Sequence, residues 1–121
     1  MILVDTSIWV DHLRVTDPAL TALLEADKVV SHAFVIGELA CGNLRRRQEI
    51  LSLLHDLPQA DIAEEKEVLH LIDHHRLMGS GIGYVDAHLL ASTLLTDSLR
   101  LWSRDRRVTD IALRLKISFP N

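Results

Sequence analysis

The sequence predicts an α/β fold in which a short central parallel sheet is covered by helices on both faces. Short continuous apolar runs alternate with longer segments of helical periodicity along the chain, and such alternation is typical of α/β layering. No hairpin signal joins neighbouring strand segments, which favours parallel pairing. No repeat or Pro/Gly-rich linker divides the 121 residues, so we expect one domain over residues 1–121.

The predicted strands are short. Ile2–Val4 is a continuous apolar run, which indicates a strand buried on both faces rather than one with a solvent-facing side. Further strands are predicted at Val29–Val30, at residues 60–63, at residues 99–102 and near Ile117.

The predicted helices follow from periodicity and from end signals. Asp17 followed by Pro18 is a typical N-cap and first helical position. Gly42 suits the end of a helix that begins at Ala33. The clearest amphipathic pattern covers residues 64–78 and ends at a glycine-rich stretch. The remaining helices are predicted over residues 45–55, 85–96 and 106–115.

Composition limits the class of protein. The apolar run at the start stops at Asp5 and is far shorter than the roughly 20 residues that span a bilayer, so we expect a soluble, cytoplasmic protein with no membrane partner. Cys41 is the only cysteine, which excludes an intramolecular disulfide. The net charge of −4 comes from 13 basic and 17 acidic residues and is unusual for a nucleic-acid-binding protein. Setting aside four candidate metal-site carboxylates leaves 13 acidic residues against 13 basic ones.

Two aspartates follow predicted strands directly or closely. Asp5 comes after the first strand, and Asp105 comes after the strand at residues 99–102. Ligands of open parallel α/β sheets bind beyond the carboxyl ends of the strands, so both positions are candidates for chemistry. Each aspartate could instead be the N-cap of the following helix.

Two further acidic residues lie on predicted helices. The neighbours of Glu38 three and four positions away are apolar or small, so we expect a buried carboxylate that needs a partner or a metal. Glu38 could instead lie at the edge of this stripe and reach solvent, or pair with Arg45 or Arg46. Asp86 could simply be a favourable acid in the first turn of its helix.

Taken together, these four carboxylates predict a cation site. Phosphodiester hydrolysis through a hard cation needs several oxygen ligands at one point. Two unit charges 4 Å apart repel by roughly 4 kcal/mol at an effective dielectric constant of 20, so such a cluster needs a cation to hold it. Spacing along the chain leaves the convergence of the four side chains open.

Four segments resemble, in order, the signature segments of VapC toxins, which are PIN-domain ribonucleases. They are the apolar run ending in Asp5-Thr6-Ser7, residues 36–39 (IGEL), residues 81–91 (GIGYVDAHLLA) and residues 101–105 (LWSRD). The resemblance runs from end to end of the chain. No single segment is specific, and the ordered set carries the resemblance.

The resemblance implies a PIN-like three-layer α/β/α sandwich with a short central parallel sheet. It further implies a metal-dependent endoribonuclease, the toxin of a type II toxin–antitoxin system, with a cognate antitoxin, a structured RNA substrate and a homodimeric state. The acidic residues carried over by position are Asp5, Glu38, Asp86 and Asp105. Asp5 and Asp86 would bind Mg²⁺ or Mn²⁺ directly, whereas Glu38 and Asp105 would act through water or hold a second ion.

Other residues of the matching segments have implied supporting roles. Thr6 or Ser7 would orient Asp5, and Ser103 stands where the family commonly has Thr, a departure that keeps the hydroxyl. Arg104 could contact the substrate backbone or belong to the antitoxin interface. The expected mechanism is in-line attack on phosphorus by a water that the cation activates, which leaves a 5′-phosphate and a 3′-hydroxyl.

Two other functions stay open. An Asp after the first strand also suits an aspartyl-phosphate phosphatase, but the second Asp typical of that family, two residues on, is here Ser7. A non-catalytic domain that binds RNA or a protein would gain nothing from concentrated negative charge facing phosphate.

Several other patterns are interpreted structurally. Glu67, His70 and His74 match half of a di-iron motif that bundles need twice, so we interpret them as a polar helix face. We expect Trp9 and Trp102 to lie partly in the core rather than to stack on bases.

Overall fold

The computed structural model describes residues 1–120 and contains a sheet of three parallel strands. β1 (Ile2–Val4) lies between β2 (Val29–Val30) and β3 (Arg100–Trp102). Val4 is paired with Trp102 in the register of β1 and β3. The chain therefore leaves these two strands at the same level of the sheet, and the segments that follow them lie side by side.

Seven helices accompany the sheet in the described part of the chain: α1 (Thr6–Arg14), α2 (Pro18–Glu25), α3 (Ala33–Ala40), α4 (Arg47–Asp56), α5 (Glu65–His74), α6 (Tyr84–Leu95) and α7 (Arg106–Arg114). Helix α3 contacts both α1 and α4, while α6 packs against α5 and β3. The predicted α/β/α architecture with its parallel sheet is confirmed. None of these helices is long and apolar enough to cross a membrane.

Helix α1 is absent from the predicted elements. It begins with two hydroxyl residues and contains the β-branched Ile8 and Val10, which are weak helix formers. Its start is stabilised from outside the helix, because Asp5 is the N-cap and its Oδ1 accepts a hydrogen bond of 2.7 Å from the Thr6 N–H. Burial of Ile8 and Trp9 then fixes the helix against the core.

Two helix bounds differ from the prediction for a backbone reason. The helix predicted over residues 64–78 ends at His74, and Arg76 takes a left-handed conformation with φ of 55°, as is typical after a helix end. The helix predicted over residues 45–55 begins only at Arg47, because Arg46 has φ of 53°.

The strands predicted at residues 60–63 and near Ile117 are wrong. Each region forms one isolated bridge, Ser31 with Gln59 and Leu101 with Ser118. The first segment has little to bury, since Asp61 and Ile62 are exposed. Both segments touch the edge of the sheet and then leave it.

The core is built around the central strand. Leu3 and Val4 have no solvent exposure, and the helices cover them with Ile8, Leu89 and Leu90, which are equally inaccessible. Full burial of one such side chain stabilises the fold by roughly 1.5–3 kcal/mol. The strand end that precedes Asp5 is therefore among the most firmly held backbone in the molecule.

A buried histidine joins α3 to α6. His32 is fully buried, and its Nδ1 accepts a 3.0 Å hydrogen bond from the Phe34 N–H as the N-cap of α3. Its Nε2 lies 3.0 Å from the hydroxyl of Ser92 on α6. Since Nδ1 accepts, Nε2 carries the proton and donates to that hydroxyl. Burial, with a smaller contribution from His88, lowers the pKa of His32 from 6.5 to about 4.

The free energy of unfolding should therefore fall in mild acid. His32 stays neutral in the folded protein while the unfolded chain takes up a proton, so its stabilisation is complete above pH 6.5 and is lost as the pH falls towards 4. Between pH 7 and pH 5 this loss amounts to roughly 2 kcal/mol. Urea unfolding at pH 7, 6 and 5 measures it.

The variant His32→Asn retains a capping side chain and has no group that titrates in this range. Its unfolding free energy should change less between pH 7 and pH 5 than that of the wild type. The exposed His55 provides the matched control, His55→Asn, which should keep the wild-type slope. Equal slopes for wild type and His32→Asn would contradict this account.

Candidate active site

Asp5 is the buried centre of the site. It follows β1 directly, is 5% exposed, and its N–H donates a 2.9 Å hydrogen bond to the carbonyl oxygen of Trp102. Its Oδ2 accepts hydrogen bonds from the hydroxyls of Ser7, at 2.9 Å, and Ser103, at 2.7 Å. Donors from α1 and from the segment after β3 thus fix the carboxylate in one orientation.

Asp105 lies beside Asp5 through Ser103. The Ser103 hydroxyl oxygen accepts a 3.0 Å hydrogen bond from the Asp105 N–H while it donates to Asp5. Asp105 is also the N-cap of α7 and lies 3.5 Å from the Arg107 guanidinium. Burial opposes its ionisation, but the N–H groups of Arg107 and Val108 and the Arg107 side chain together hold the pKa of Asp105 below its usual value.

Asp86 enters the site from the first turn of α6. Its Oδ2 accepts a 3.0 Å hydrogen bond from the N–H of Gly83, the N-cap of this helix. Burial raises the pKa of Asp86, the Gly83 N–H opposes this shift, and the charges of Asp5, Asp105 and Glu38 add to it. Three carboxylates on three other elements therefore act on Asp86 at once, which brings the four predicted residues into one electrostatic field.

Glu38 is exposed, so the expectation of a buried carboxylate is wrong and the alternative, a Glu38 at the edge of the apolar stripe that reaches solvent, is confirmed. Its side chain reaches solvent, and its Oε1 accepts a 2.6 Å hydrogen bond from the Thr6 hydroxyl. The alternative pairing with Arg46 is not observed either, because the Arg46 guanidinium lies 4.0 Å from Glu49. Thr6 links two carboxylates, since its N–H is bonded to Asp5 and its hydroxyl to Glu38.

The spacing of the four carboxylates differs from the spacing that metal coordination requires. Among residues 1–120, no three His, Cys, Asp or Glu side chains are close enough to hold a metal ion as they stand. Repulsion between charges extends to roughly 10 Å, whereas metal–oxygen bonds are about 2.0–2.6 Å. The four carboxylates therefore interact through their charges at distances longer than those of metal coordination.

The donor set fits a hard divalent cation. It consists of carboxylate and hydroxyl oxygens, the ligands that Mg²⁺ and Mn²⁺ prefer. Within the described chain, no Lys or Arg forms an ion pair with Asp5, Glu38 or Asp86; of the four acids, Asp105 alone has such a partner. A cation would thus meet negative charge that the protein itself leaves largely unneutralised.

Arg104 braces the segment after β3. Its Nε lies 2.7 Å from Asp11 Oδ2, its Nη2 is bonded to Asp17, and its guanidinium carbon is 6.0 Å from the ring centroid of Trp102. Its N–H also donates a 3.0 Å hydrogen bond to the Ser7 hydroxyl. Arg104 thereby ties α1 and α2 to the residues that orient Asp5, and its side chain remains 39% exposed towards a ligand.

A groove begins at Glu38 and runs away from the other carboxylates. Its volume is about 860 Å³, and it is lined by apolar residues of α1 and α3 and by Arg14, Arg45 and Arg46. Of the four acidic residues, Glu38 alone lines this groove. Arg45 and Arg46, the residues considered as possible partners of Glu38, line the same groove.

The patterns interpreted structurally behave as expected. Trp9 and Trp102 are 5% and 3% exposed and belong to the core. On α5, Glu67 accepts a hydrogen bond from the Glu64 N–H, while His70 and His74 are exposed and stacked with their ring centroids 5.3 Å apart.

Sequence reasoning missed two contacts within the site, Gly83 with Asp86 and Thr6 with Glu38. The three-residue spacing of Gly83 and Asp86 is that of a capping box, so this contact could have been predicted from the sequence. The Thr6–Glu38 contact depends on the packing of α1 against α3, for which the sequence has no signal.

The fold and its acidic edge define a PIN-type nuclease scaffold, and a family model agrees. The model for the PIN domain matches residues 2–113, and the chain therefore belongs to the PIN-domain family. It is 47% identical over 108 residues to Ribonuclease VapC32 of Mycobacterium tuberculosis, in strains CDC 1551 and H37Rv. The aligned part covers 89% of this chain and 87% of those relatives. The resemblance to VapC proteins is thereby confirmed.

Removing one charge from the cluster should stabilise the metal-free protein. Ionised Asp86 is disfavoured in the folded state, so its contribution to stability becomes less favourable as the pH rises through its raised pKa. In EDTA at pH 7, Asp86→Asn should melt roughly 1–2 °C above the wild type, a small gain because solvent screens the charges. The Asn oxygen can still accept from Gly83.

The control for this measurement is Asp97→Asn, which removes an exposed charge in the α6–β3 loop, at the opposite end of β3. Its melting temperature should match the wild type within error. A decrease on Asp86→Asn in EDTA would show that repulsion does not govern this group.

Proposed function

We propose that this protein is a divalent-metal-dependent endoribonuclease and the toxin of a type II toxin–antitoxin pair. The observation that carries the proposal is the buried Asp5 carboxylate at the end of β1, which Ser7 and Ser103 hold by hydrogen bonds and which the Ser103 hydroxyl joins to Asp105. Burial and the charges of Asp5, Asp105 and Glu38 also raise the pKa of Asp86. Such shifts are concentrated at functional sites. The name of the relatives, Ribonuclease VapC32, supports RNA as the substrate.

Asp5 and Asp86 are the proposed direct ligands of Mg²⁺ or Mn²⁺, with Glu38 and Asp105 acting through water or on a second ion. A bound cation would offset the repulsion among the carboxylates, lower the pKa of a coordinated water and stabilise charge that develops on the phosphate. The buried Asp5 is the best oriented of the four, since both of its oxygens accept hydrogen bonds.

The remaining side chains have positioning roles in this proposal. Ser7 and Ser103 hold the Asp5 carboxylate, and Thr6 holds Glu38 near it. Arg104 fixes the segment that carries Ser103 and Asp105, and its exposed part is available to a phosphate of the substrate.

Hydrolysis by water should leave a 5′-phosphate and a 3′-hydroxyl. Cleavage with the ribose 2′-hydroxyl as the nucleophile would instead need a general base that removes the proton of that hydroxyl. The two histidines next to the site are poorly suited to act as that base, because His32 caps α3 and bonds Ser92, and His88 is packed between aromatic rings. These contacts argue against histidine as that base, and the hydrolytic route itself rests on the proposed activation of water by the cation.

The first test is cleavage of total cellular RNA by the purified protein in Mg²⁺, in Mn²⁺ and in EDTA. We expect cleavage in both metals and none in EDTA. Asp5→Asn and Asp86→Asn should each lower the rate by more than the roughly 10- to 100-fold typical for loss of an outer-shell partner. Mapping the ends of the products should find 5′-phosphates.

Asp97→Asn is the matched control, since it makes the same chemical change outside the cluster, and it should cut at the wild-type rate. Undiminished cleavage in EDTA, or by both site variants, would refute the four-carboxylate proposal. If the wild type cuts no RNA in any metal, the non-catalytic binding domain becomes the better description.

Ser103 offers a separate test of orientation. Ser103→Ala removes the hydroxyl that donates to Asp5 and accepts from the Asp105 N–H, and it should lower the rate by roughly 10- to 100-fold. Ser103→Thr keeps that hydroxyl and should stay near the wild-type rate. Metal titration of both variants measures the cause, since Ser103→Ala should need more Mg²⁺ for half-maximal cleavage. Equal rates for the two variants would remove Ser103 from the proposal.

A cognate antitoxin and a homodimer remain predictions from the resemblance. Co-expression with the product of the neighbouring gene and size-exclusion chromatography test them.

A further inference from the structure

An acidic protein needs contacts other than charge to hold RNA. The chain carries a net charge of −4, and both tryptophans are buried. Tyr84, the only tyrosine, is 50% exposed and is the first residue of α6, the helix that carries Asp86. An exposed aromatic ring two residues before a proposed metal ligand is a candidate for the stacking contact that RNA-binding proteins make with unpaired bases.

The Tyr84 ring is held in a fixed position. It packs edge to face on the ring of His88, with centroids 4.7 Å apart and an interplanar angle of 87°. His88 also contacts the ring of Phe34 on α3, and the centroids of these two rings lie 4.6 Å apart. His88 itself is only 5% exposed, so the Tyr84 ring packs on a buried side chain.

The contacts between α3 and α6 place Tyr84 on the side of the carboxylates. His32, at the start of α3, bonds Ser92, and Phe34 packs on His88, so the two helices run past each other in opposite directions. One turn beyond Phe34 is Glu38, and one turn before His88 is Tyr84. Because the two helices run in opposite directions, Tyr84 lies towards the end of α3 that carries Glu38.

We propose that the exposed face of Tyr84 is a stacking platform for an unpaired nucleobase next to the phosphate that is cut. The ligand class is therefore a single-stranded or loop segment of RNA. This inference rests on the proposed function and adds a recognition site to it. A duplex cannot use the platform, because its bases are already stacked on one another.

The properties of Tyr84 favour a base over a phosphate or an ion. The Tyr84 ring is an uncharged aromatic surface on the helix that carries Asp86, and the charges of the carboxylates around Asp86 repel phosphate in the absence of a cation. Every base has a π-face, so stacking is compatible with this acidic surrounding. Half of the Tyr84 surface stays exposed although the ring packs edge to face with His88, so aromatic surface remains available to a base.

The first experiment alters the RNA and leaves the protein intact. A hairpin RNA with the mapped cleavage site in its loop is compared with the same hairpin carrying one abasic nucleotide at each position flanking the cut. With wild-type protein, one abasic position should raise KM by about five-fold or more, with little change in kcat. The base-paired form of the same sequence should be a poor substrate.

The second experiment couples that RNA to variants of Tyr84. Tyr84→Leu keeps apolar bulk but lacks the π-face, and it should raise KM for the intact hairpin by a similar factor and no longer respond to the abasic position. Tyr84→Phe should retain both properties of the wild type. Leu95→Ala, at the far end of α6 and 52% exposed, is the matched control and should behave as wild type.

The outcomes separate the two proposals. An abasic penalty of equal size in the wild type and in Tyr84→Leu would overturn the platform, because the base would then be bound elsewhere. Loss of antitoxin binding by Tyr84→Leu with unchanged KM would also overturn it. If the wild type cuts neither total RNA nor the hairpin in any metal, the proposed function itself fails, whereas cleavage of the wild-type hairpin without an abasic penalty overturns only the platform. If Tyr84→Leu does not fold, the test uses the wild-type protein and a hairpin with 2-aminopurine at the position where the abasic nucleotide raised KM. Quenching of the 2-aminopurine fluorescence on binding supports stacking, and unchanged fluorescence contradicts it.

Discussion

The parallel pairing of β1 with β3 is the constraint on which the site depends. Because Val4 is in register with Trp102, the residues that follow the two strands meet at one edge of the sheet. The Ser103 hydroxyl then reaches Asp5 at 2.7 Å across 98 positions of sequence. Shifting this register by one residue would move Ser103 by about 3.3 Å along the strand direction relative to Asp5 and break this hydrogen bond, so the geometry of the site depends on the strand pairing.

Three of the four carboxylates also lie in the first turn of a helix or at its cap. Asp5 caps α1, Asp105 caps α7, and Asp86 accepts from the N-cap residue of α6. Helix N-termini favour negative charge, so each helix compensates locally for part of the repulsion within the cluster. Capping and metal binding were alternatives at the level of sequence, but the capping geometry leaves the second role available.

Much of this organisation was predictable because it follows from local patterns. Continuous apolar runs predicted the three strands. The ends of the first and third strands in turn predicted where Asp5 and Asp105 would lie. The exposure of Glu38 was not predictable, since apolar neighbours on a helix do not reveal which side faces a cleft. The short bridges at Gln59 and Ser118 also depend on where the chain meets the sheet edge, which is a tertiary property.

The balance of charge has a further consequence for recognition. In the proposed function, the phosphate that is cut must approach the acidic cluster, and two arginines of the neighbouring segment are partly engaged by the protein, Arg104 with Asp11 and Asp17 and Arg107 with Asp105. Attraction between phosphate and free basic side chains is then a small part of the binding energy at the cut itself. Cations and neutral contacts must supply the rest, so selectivity should depend on which bases are unpaired more than on the number of phosphates within reach.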